Sequence, residues 1–207
     1  RLQHLRSCLQ EETGSSIAIY YGAPEEVFKT LVEEWEVGAV FTNRDYEPYA
    51  RERDGPIQSF LQEKGIPFQH FKDQVIFEKS EVVKDDGDPY VVYTPYMRKW
   101  KERFRDQDIS SYPSEDMLDG LIAHSRLPNL DLSDMGFQAS GIQVPDFDLS
   151  ADTIANYEDT RNIPARNGTS RLGPHLRFGT ISIRKALEKA LQPENETFWN
   201  ELIWREF

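Results

Sequence analysis

The sequence has few of the features that mark secreted, metal-binding or membrane proteins. Its one cysteine, Cys8, cannot form a disulfide within the chain, and its four histidines are scattered without metal-site spacing. No apolar run approaches the roughly 20 residues that span a bilayer. No signal-peptide pattern opens the chain. These absences predict a cytoplasmic protein with no metal site and no membrane partner.

The chain also lacks a methionine at its first position and a stop signal at its last helix. It starts at Arg1 within an amphipathic stretch and ends at Phe207 within an apolar one. Helices usually end near glycine, asparagine or proline, and none of these follows the last apolar run. We therefore expect this chain to be a piece of a longer protein.

Positive charge is scarce and unevenly distributed. The chain has 36 acidic and 24 basic residues and a formal net charge of -12, which as an average argues against nucleic-acid binding. Residues 151–207, however, hold eight acidic and eight basic residues, so the whole excess of acid lies in residues 1–150. This asymmetry indicates two units with different partners.

Predicted strands and helices alternate at the start of the chain. Strand-like runs of β-branched and aromatic residues occupy 17–21, 37–42 and 66–71. Helical spacing occupies 2–9, 24–36 and 46–64. This alternation predicts parallel βαβ units, and hence an α/β domain over residues 1–107.

The remainder of the chain divides into a connection and a helical segment. Residues 108–150 are rich in proline, glycine, serine and aspartate and show little periodicity, which predicts a linker draped over a surface. From Ser150 onward the pattern is helical, with candidates near 150–157 and at 169–178, 182–191 and 197–207. Ser150 or Asp152 is the predicted cap of the first of these helices.

Two local patterns suggest chemistry. Residues 168–173 read Gly-Thr-Ser-Arg-Leu-Gly, where a glycine and hydroxyl residues precede a helix. This pattern is typical of an ordinary N-cap, but its backbone and side-chain donors also suit a phosphate.

The second pattern is the aromatic segment 198–207. Glu201 and Arg205 are four residues apart on a predicted helix and can pair, with Phe198 and Trp204 nearby. A packed aromatic helix with a surface salt bridge explains the pattern. A charged pair beside aromatic planes also suits a flat ligand or a flipped-out base.

Together these patterns resemble the DNA photolyase/cryptochrome family. The resemblance is carried by Tyr157 and Arg161, by residues 169–173, by Phe-Gly-Thr-Ile-Ser-Ile-Arg at 178–184 and by Glu-Leu-Ile-Trp-Arg-Glu-Phe at 201–207. Residues 93–100, which begin Tyr-Thr-Pro-Tyr and end at Trp100, resemble the strand-to-helix signature of the family. Within the family, the chain most resembles class I cyclobutane pyrimidine dimer (deoxyribodipyrimidine) photolyases.

The resemblance implies an α/β fold with a Rossmann-like parallel sheet over 1–107, the N-terminal antenna domain without its opening strands. It further implies an interdomain linker over 108–150 and the first helices of an all-α FAD-binding domain over 151–207. Because the opening strands and the later helices are missing, we expect this chain alone to be inactive. We also expect it to bind no FAD stably and to self-associate through exposed apolar surface.

The resemblance also implies roles for individual residues. The predicted FAD contacts are Tyr157, Thr169, Ser170, Arg171, Leu172, Gly173, Phe198 and Arg205. Gly173 stands where relatives often have serine, and Phe198 where they commonly have tryptophan. Glu201 and Trp204 match the carboxylate and indole that meet the pyrimidine dimer. Arg161, together with Glu201, Trp204 and Arg205, is expected to contact damaged DNA.

The function implied is light-driven repair of cyclobutane pyrimidine dimers by electron transfer from reduced FAD. Glu201 with Trp204 favours this activity over repair of (6-4) photoproducts. DASH-type cryptochromes share both residues. The alternative function is therefore that of a cryptochrome, either of the DASH type or a signalling blue-light receptor, that binds FAD without duplex repair activity. A nucleotide-binding module of the electron-transfer-flavoprotein or universal-stress type is disfavoured because its glycine loop is not seen.

The sequence is compatible with more than one antenna chromophore. In folate-binding relatives an Asn-Glu pair follows the Tyr-Glu that matches Tyr46 and Glu47. Here Tyr49 and Ala50 stand in that place, which makes a folate antenna doubtful. A deazaflavin antenna, a flavin antenna, or none, remains open.

Overall fold

The computed structural model describes residues 1–110, 112–123, 126–138, 140–191 and 196–207. The chain divides into two compact units, the first formed by residues 1–71 and 112–142, the second by 72–111 and 143–207. These bounds differ from the predicted domain limits because apolar residues of 76–100 share one core with those of 154–203.

The first unit contains a parallel βαβ arrangement. Its elements are α1 (Leu2–Thr13), α2 (Pro24–Glu34), β1 (Val40–Asn43), α3 (Pro48–Glu63), β2 (Phe68–Phe71) and a 3-10 turn at Ser114–Gly120. The two strands pair in parallel, from Val40 opposite Phe68 to Asn43 opposite Phe71, with α3 between them in the chain. The α/β fold and two of the three predicted strands are therefore confirmed.

The strand predicted at 17–21 is wrong, since these described residues belong to neither strand of the sheet. The Ile19 N–H donates to the carbonyl oxygen of Pro128 at 2.9 Å, and the Ile17 carbonyl accepts from the guanidinium of Arg6. Pro128 has no N–H with which to donate a further hydrogen bond of a β-ladder. At Ile17 the donor to the carbonyl is the Arg6 side chain and not the backbone N–H of a neighbouring strand. The segment is therefore held by isolated contacts.

Helix α2 presents its predicted apolar face to a partly open groove. Phe28, Leu31 and Val32 are each half-buried, and none of the helix's residues is fully buried. The groove that they line with Tyr20 and Val40 has a volume of about 220 Å³. The first unit thus keeps an accessible apolar surface along α2.

The second unit is helical. Its elements are α4 (Tyr93–Arg103), a 3-10 turn at Asp106–Ile109, α5 (Ala151–Ala155), α6 (Tyr157–Thr160), α7 (Leu172–Arg177), α8 (Ile183–Ala190) and α9 (Glu196–Trp204). The Ser150 hydroxyl accepts from the Thr153 N–H, which makes Ser150 the cap of α5 as predicted. Trp100, Leu187 and Ile203 lie at the centre of the core and are almost completely buried.

The end of the predicted linker is docked onto α7. His175 is buried and its Nε2 lies 2.9 Å from the carbonyl oxygen of Pro145, while its Nδ1 lies 2.8 Å from the Thr180 hydroxyl. The Asp148 N–H donates to the Ser170 carbonyl at 2.9 Å. Residues 145–148 therefore enter the helical unit along a fixed path.

Two structural features are absent from the described residues. No helix there is long and apolar enough to cross a membrane. No cluster of three or more His, Cys, Asp or Glu side chains in the same residues has the arrangement of a metal site.

Candidate nucleic-acid and flavin site

Helix α9 places the candidate residues on different faces, one of which is buried and another of which is accessible to solvent. Phe198, Leu202 and Ile203 are buried, which anchors the helix in the second unit. Glu201 is half-buried, and Trp204 keeps 47% of its surface exposed. Because Glu201 and Trp204 are three residues apart on a helix, they are neighbours on its surface.

Helix α6 contributes an ion pair and an aromatic ring to α9. The Arg161 Nη1 donates to the Glu201 Oε1 at 2.5 Å, and its guanidinium carbon lies 5.5 Å from the centre of the Tyr157 ring. The Tyr157 ring meets that of Phe198 edge-on, with centroids 5.0 Å apart. Four predicted site residues, Tyr157, Arg161, Phe198 and Glu201, therefore form one cluster.

Electrostatics fix the charges of this cluster. Burial, with the nearby Glu201 carboxylate, raises the pKa of the Tyr157 phenol, so that the ring stays neutral in ordinary buffers. The hydrogen bond to Glu201 raises the pKa of Arg161. The cluster thus presents a cation beside a carboxyl group and a neutral aromatic ring.

The predicted pairing of Glu201 with Arg205 is replaced by other contacts. Glu201 pairs with Arg161, and the Arg205 Nη1 donates to the carbonyl oxygen of Gln74 at 2.5 Å. An exposed pair four residues apart on a helix contributes only about 0.3–0.5 kcal/mol, so tertiary partners readily displace it. The spacing on the helix was compatible with the pair but did not determine it.

Trp204 lies against aromatic residues on one of its faces. Its ring stacks on that of Tyr93, with centroids 3.8 Å apart and planes 10° apart, and Phe207 meets it edge-on at 5.5 Å. The Tyr93 hydroxyl donates to the Asn200 carbonyl oxygen at 2.7 Å. Burial, reinforced by Glu201, raises the pKa of Tyr93 to about 12, so the phenol keeps its proton.

The backbone of the turn before α7 has an unusual conformation and a close contact with α6. Arg171 adopts a φ of 54°, and among the described residues no side chain caps α7. Gly168 packs so closely on Thr160 that a Cβ at position 168 would lie 2.2 Å from the Thr160 Cβ. The Thr160 hydroxyl donates to the Gly168 carbonyl at 2.9 Å.

The donors of this turn suit a phosphate-bearing cofactor chemically. Thr169 is exposed, Ser170 is largely buried, and the two hydroxyls are followed by the guanidinium of Arg171, which bonds the Asn167 side chain. Hydroxyl and guanidinium groups are the donors that bind diphosphates. No side-chain N-cap is observed for α7 in the part of the chain that the structure describes, and the donor types present are chemically compatible with a diphosphate.

A half-buried glutamate, Glu206, was not singled out by the sequence. It accepts from the N–H groups of Ile76 at 2.5 Å and Phe77 at 3.3 Å and from the Trp100 indole N–H at 2.7 Å. Burial raises its pKa, although these three donors oppose the rise. Glu206 thereby joins the end of α9 to the segment before α4.

Comparisons with known proteins identify the family of the chain. The family model described as DNA photolyase matches residues 1–114, more than half of the chain. The chain belongs to the DNA photolyase family. Photolyases and cryptochromes generally bind FAD and an antenna chromophore, and photolyases act on damaged DNA.

Individual photolyases match the whole chain. A deoxyribodipyrimidine photo-lyase of Synechococcus is 30% identical, with 100% of this chain and 49% of the relative covered. A class III photolyase of Agrobacterium tumefaciens has a TM-score of 0.83 at 27% identity, covering 100% of this chain and 47% of the other. An archaeal photolyase of Sulfolobus tokodaii, solved with two FAD molecules, has a TM-score of 0.65 at 25% identity and covers 100% and 45%.

The chain spans about half the length of these photolyases. The predicted family and α/β fold are confirmed, whereas the assignment to class I stays a prediction. Among the predicted photolyase residues, the structure brings Tyr157, Arg161, Phe198 and Glu201 into contact. It places Thr169, Ser170 and Arg171 in the turn before α7, and Leu172 and Gly173 in the first turn of that helix.

Two residues of the second unit were missed by the sequence reasoning. Tyr93 opens the Tyr-Thr-Pro-Tyr signature, but nothing in the sequence indicates that it stacks on Trp204. Glu206 lies within the segment 201–207, yet its partners are about 106–130 residues away in the chain. Such long-range contacts leave no local periodicity that a sequence pattern could reveal.

Proposed function

We propose that the whole protein repairs cyclobutane pyrimidine dimers in DNA by light-driven electron transfer from reduced FAD, as a deoxyribodipyrimidine photo-lyase. The observation that supports this most is the Arg161–Glu201 pair next to the exposed indole of Trp204. A flat, flipped-out lesion needs a stacking surface and hydrogen-bonding groups at its edge. The match to deoxyribodipyrimidine photo-lyases supports the same proposal.

In this proposal the lesion stacks on Trp204 and hydrogen-bonds to the Glu201 carboxyl group. Because Arg161 donates to one carboxylate oxygen of Glu201, it fixes that group and holds a positive charge beside the lesion. A nearby cation stabilises the negative charge that an added electron brings to the dimer ring. Arg161 and Arg205 would also meet the DNA backbone.

Bound FAD would supply the electron on illumination. We propose that Tyr157 and Phe198 lie against the flavin. Thr169, Ser170 and Arg171 would donate to the diphosphate, with Leu172 and Gly173 completing the turn. Arg205, which donates one N–H to Gln74, would contact the flavin through its remaining N–H groups.

The test is repair by the whole, FAD-loaded protein of a thymine-dimer oligonucleotide under blue light. Glu201→Gln is expected to lower the repair rate about tenfold or more, because a hydrogen bond to a charged group contributes about 1.5–3 kcal/mol. Trp204→Ala is expected to weaken binding of the damaged strand. Glu196→Gln is the matched control, since Glu196 lies on the same helix but pairs with Lys101 on the surface. Full repair by the Glu201 variant contradicts the proposal.

The alternative is a cryptochrome, of the DASH type or a signalling receptor, without duplex repair activity. Both residues that favour repair, Glu201 and Trp204, are also expected in DASH-type proteins. Comparing dimer loss in single-stranded and duplex DNA separates the two functions. Repair restricted to single strands would favour the DASH type, and no light-dependent dimer loss in either substrate would favour a signalling receptor.

For the antenna we propose a chromophore other than folate. Ala50 stands where folate-binding relatives carry a large polar side chain, and it is 2% exposed within α3. A larger side chain there would disrupt the packing of α3. The Sulfolobus tokodaii photolyase, with two FAD molecules and a light-harvesting cofactor described as novel, makes a flavin a reasonable candidate. Absorption spectra of chromophores released from the purified protein test this proposal.

This chain alone is proposed to bind no FAD stably and to repair no DNA, since it spans about half the length of its relatives. A titration that shows quenched flavin bound at micromolar affinity would overturn this. The cytoplasmic location suggested by the low cysteine content stays a prediction.

A further inference from the structure

We infer that Tyr93 is a positioning residue for lesion recognition, holding the Trp204 indole so that only one of its faces is open to a base. This inference rests on the proposed function. It concerns the geometry of Trp204 rather than a new contact with DNA. Tyr93 lies at the start of α4, more than 100 residues before Trp204 in the chain.

The stacking geometry is the first support. The Tyr93 and Trp204 rings are nearly parallel, with planes 10° apart and centroids 3.8 Å apart, so Tyr93 covers one face of the indole. Phe207 packs edge-on against both rings, at 5.8 Å from Tyr93 and 5.5 Å from Trp204. Trp204 nevertheless stays 47% exposed, which leaves surface for a further planar group to stack.

The Tyr93 hydroxyl is the second support. It donates to the carbonyl oxygen of Asn200 at 2.7 Å. In an α-helix that carbonyl also accepts from the N–H four residues later, which here is that of Trp204. Tyr93 therefore holds Trp204 by its ring and the backbone of the same helical turn by its hydroxyl.

Fixing the indole lowers the cost of binding a lesion. A tryptophan side chain that is free to rotate must lose that freedom when a base stacks on it, and this loss reduces affinity. With one face of Trp204 covered and its helical turn tied to Tyr93, the stacking surface is formed before the lesion arrives. Glu201 lies three residues away on the same helix, so the stacking and hydrogen-bonding groups are presented together.

The experiment compares variants of the whole, FAD-loaded protein in binding a thymine-dimer oligonucleotide and its undamaged counterpart. Tyr93→Leu is expected to weaken binding of the damaged strand about threefold to tenfold, the range set by the energy of an aromatic pair. Binding of the undamaged strand should not change. Tyr93→Phe keeps the ring and should restore most of the affinity, with a loss of about threefold or less.

A matched control separates positioning from general destabilisation. Tyr90 contributes a ring to the same aromatic region, but it contacts Tyr96 rather than Trp204. Tyr90→Leu should therefore leave lesion binding within about twofold. In protein labelled with 5-fluorotryptophan, the ¹⁹F resonance lost in Trp204→Phe should shift in Tyr93→Leu and stay in place in Tyr90→Leu.

The outcomes distinguish this inference from the function on which it rests. If Trp204→Ala abolishes preference for the damaged strand while Tyr93→Leu keeps full affinity and an unshifted resonance, the inference fails and the proposed function stands. If Trp204→Ala itself keeps the full preference, the proposed function fails together with the inference. Weakened, Phe-rescued lesion binding with a shifted Trp204 resonance supports both.

Discussion

Removing the Glu206 carboxylate is expected to destabilise the second unit strongly. Glu206 accepts from three donors, the backbone N–H groups of Ile76 and Phe77 and the indole N–H of Trp100, and all three residues are buried. A buried donor left without an acceptor costs about 1–3 kcal/mol, and water entering the vacated space recovers part of this. We therefore expect Glu206→Ala to lower the free energy of unfolding by about 3–5 kcal/mol, a large part of the 5–15 kcal/mol typical of a domain.

Glu206→Gln is a more conservative substitution, which removes the negative charge and keeps the size of the side chain. Its amide keeps one oxygen acceptor but points an NH₂ group at donors, so a loss of about 1–3 kcal/mol is expected. Urea unfolding followed by tryptophan fluorescence measures both variants. Glu188→Gln on the exposed side of α8 is the control and should stay within about 0.5 kcal/mol of the original chain. A Glu206→Ala effect below about 1 kcal/mol would contradict the contact geometry.

The pH dependence follows from the raised pKa of Glu206. Burial raises this pKa in the folded protein, whereas the unfolded glutamate titrates near about 4.3. The folded state therefore binds the proton more tightly, so the part of the stability that is linked to this proton is full below about pH 4.3 and is lost as pH rises through the folded pKa. The stability difference between the original chain and Glu206→Gln should shrink from acid to neutral pH. A difference that grows with pH would refute the reasoning.

Three further predictions test other parts of the structure. Gly168→Ala should cost about 1–3 kcal/mol because its Cβ would collide with Thr160, whereas Gly173→Ala, with open space around it, should cost under about 0.5 kcal/mol by the same urea assay. Arg6→Met removes a buried guanidinium that donates to three backbone carbonyls, and should speed limited proteolysis of the first unit; unchanged cleavage would argue against that role. This chain alone should self-associate through the apolar groove along α2, giving a concentration-dependent mass in light scattering; a monodisperse monomer would contradict it.

Local signals in the sequence determined much of the helical structure. Pro24 with Glu25 and Glu26 starts α2, Gly65 with a φ of 73° follows α3, and Ser150 caps α5. Each of these features depends on a residue and its nearest neighbours. For the same reason the parallel βαβ arrangement could be predicted from alternating periodicities. The family was recognisable because its motifs are short and contiguous in the chain.

Contacts between distant segments were decided only by the tertiary structure. Residues 17–21 have strand-like composition, but a strand also needs a partner that supplies a ladder, and Pro128 and Arg6 supply isolated bonds instead. Glu201 had a possible partner on its own helix but pairs with Arg161, the residue that follows α6. In both cases several pairings have similar local energies, so packing elsewhere selects among them.

The candidate site was likewise predicted in part from the sequence and decided in part only by the tertiary structure. The sequence identified Glu201, Trp204 and the turn at 168–173 through their residue types and spacing. Only the fold placed Tyr93 against Trp204 and the N–H groups of Ile76 and Phe77 on Glu206, because these partners are about 111–130 residues distant in the chain. The sequence determines the chemistry of each single side chain, whereas its orientation depends on neighbours that only folding brings into contact.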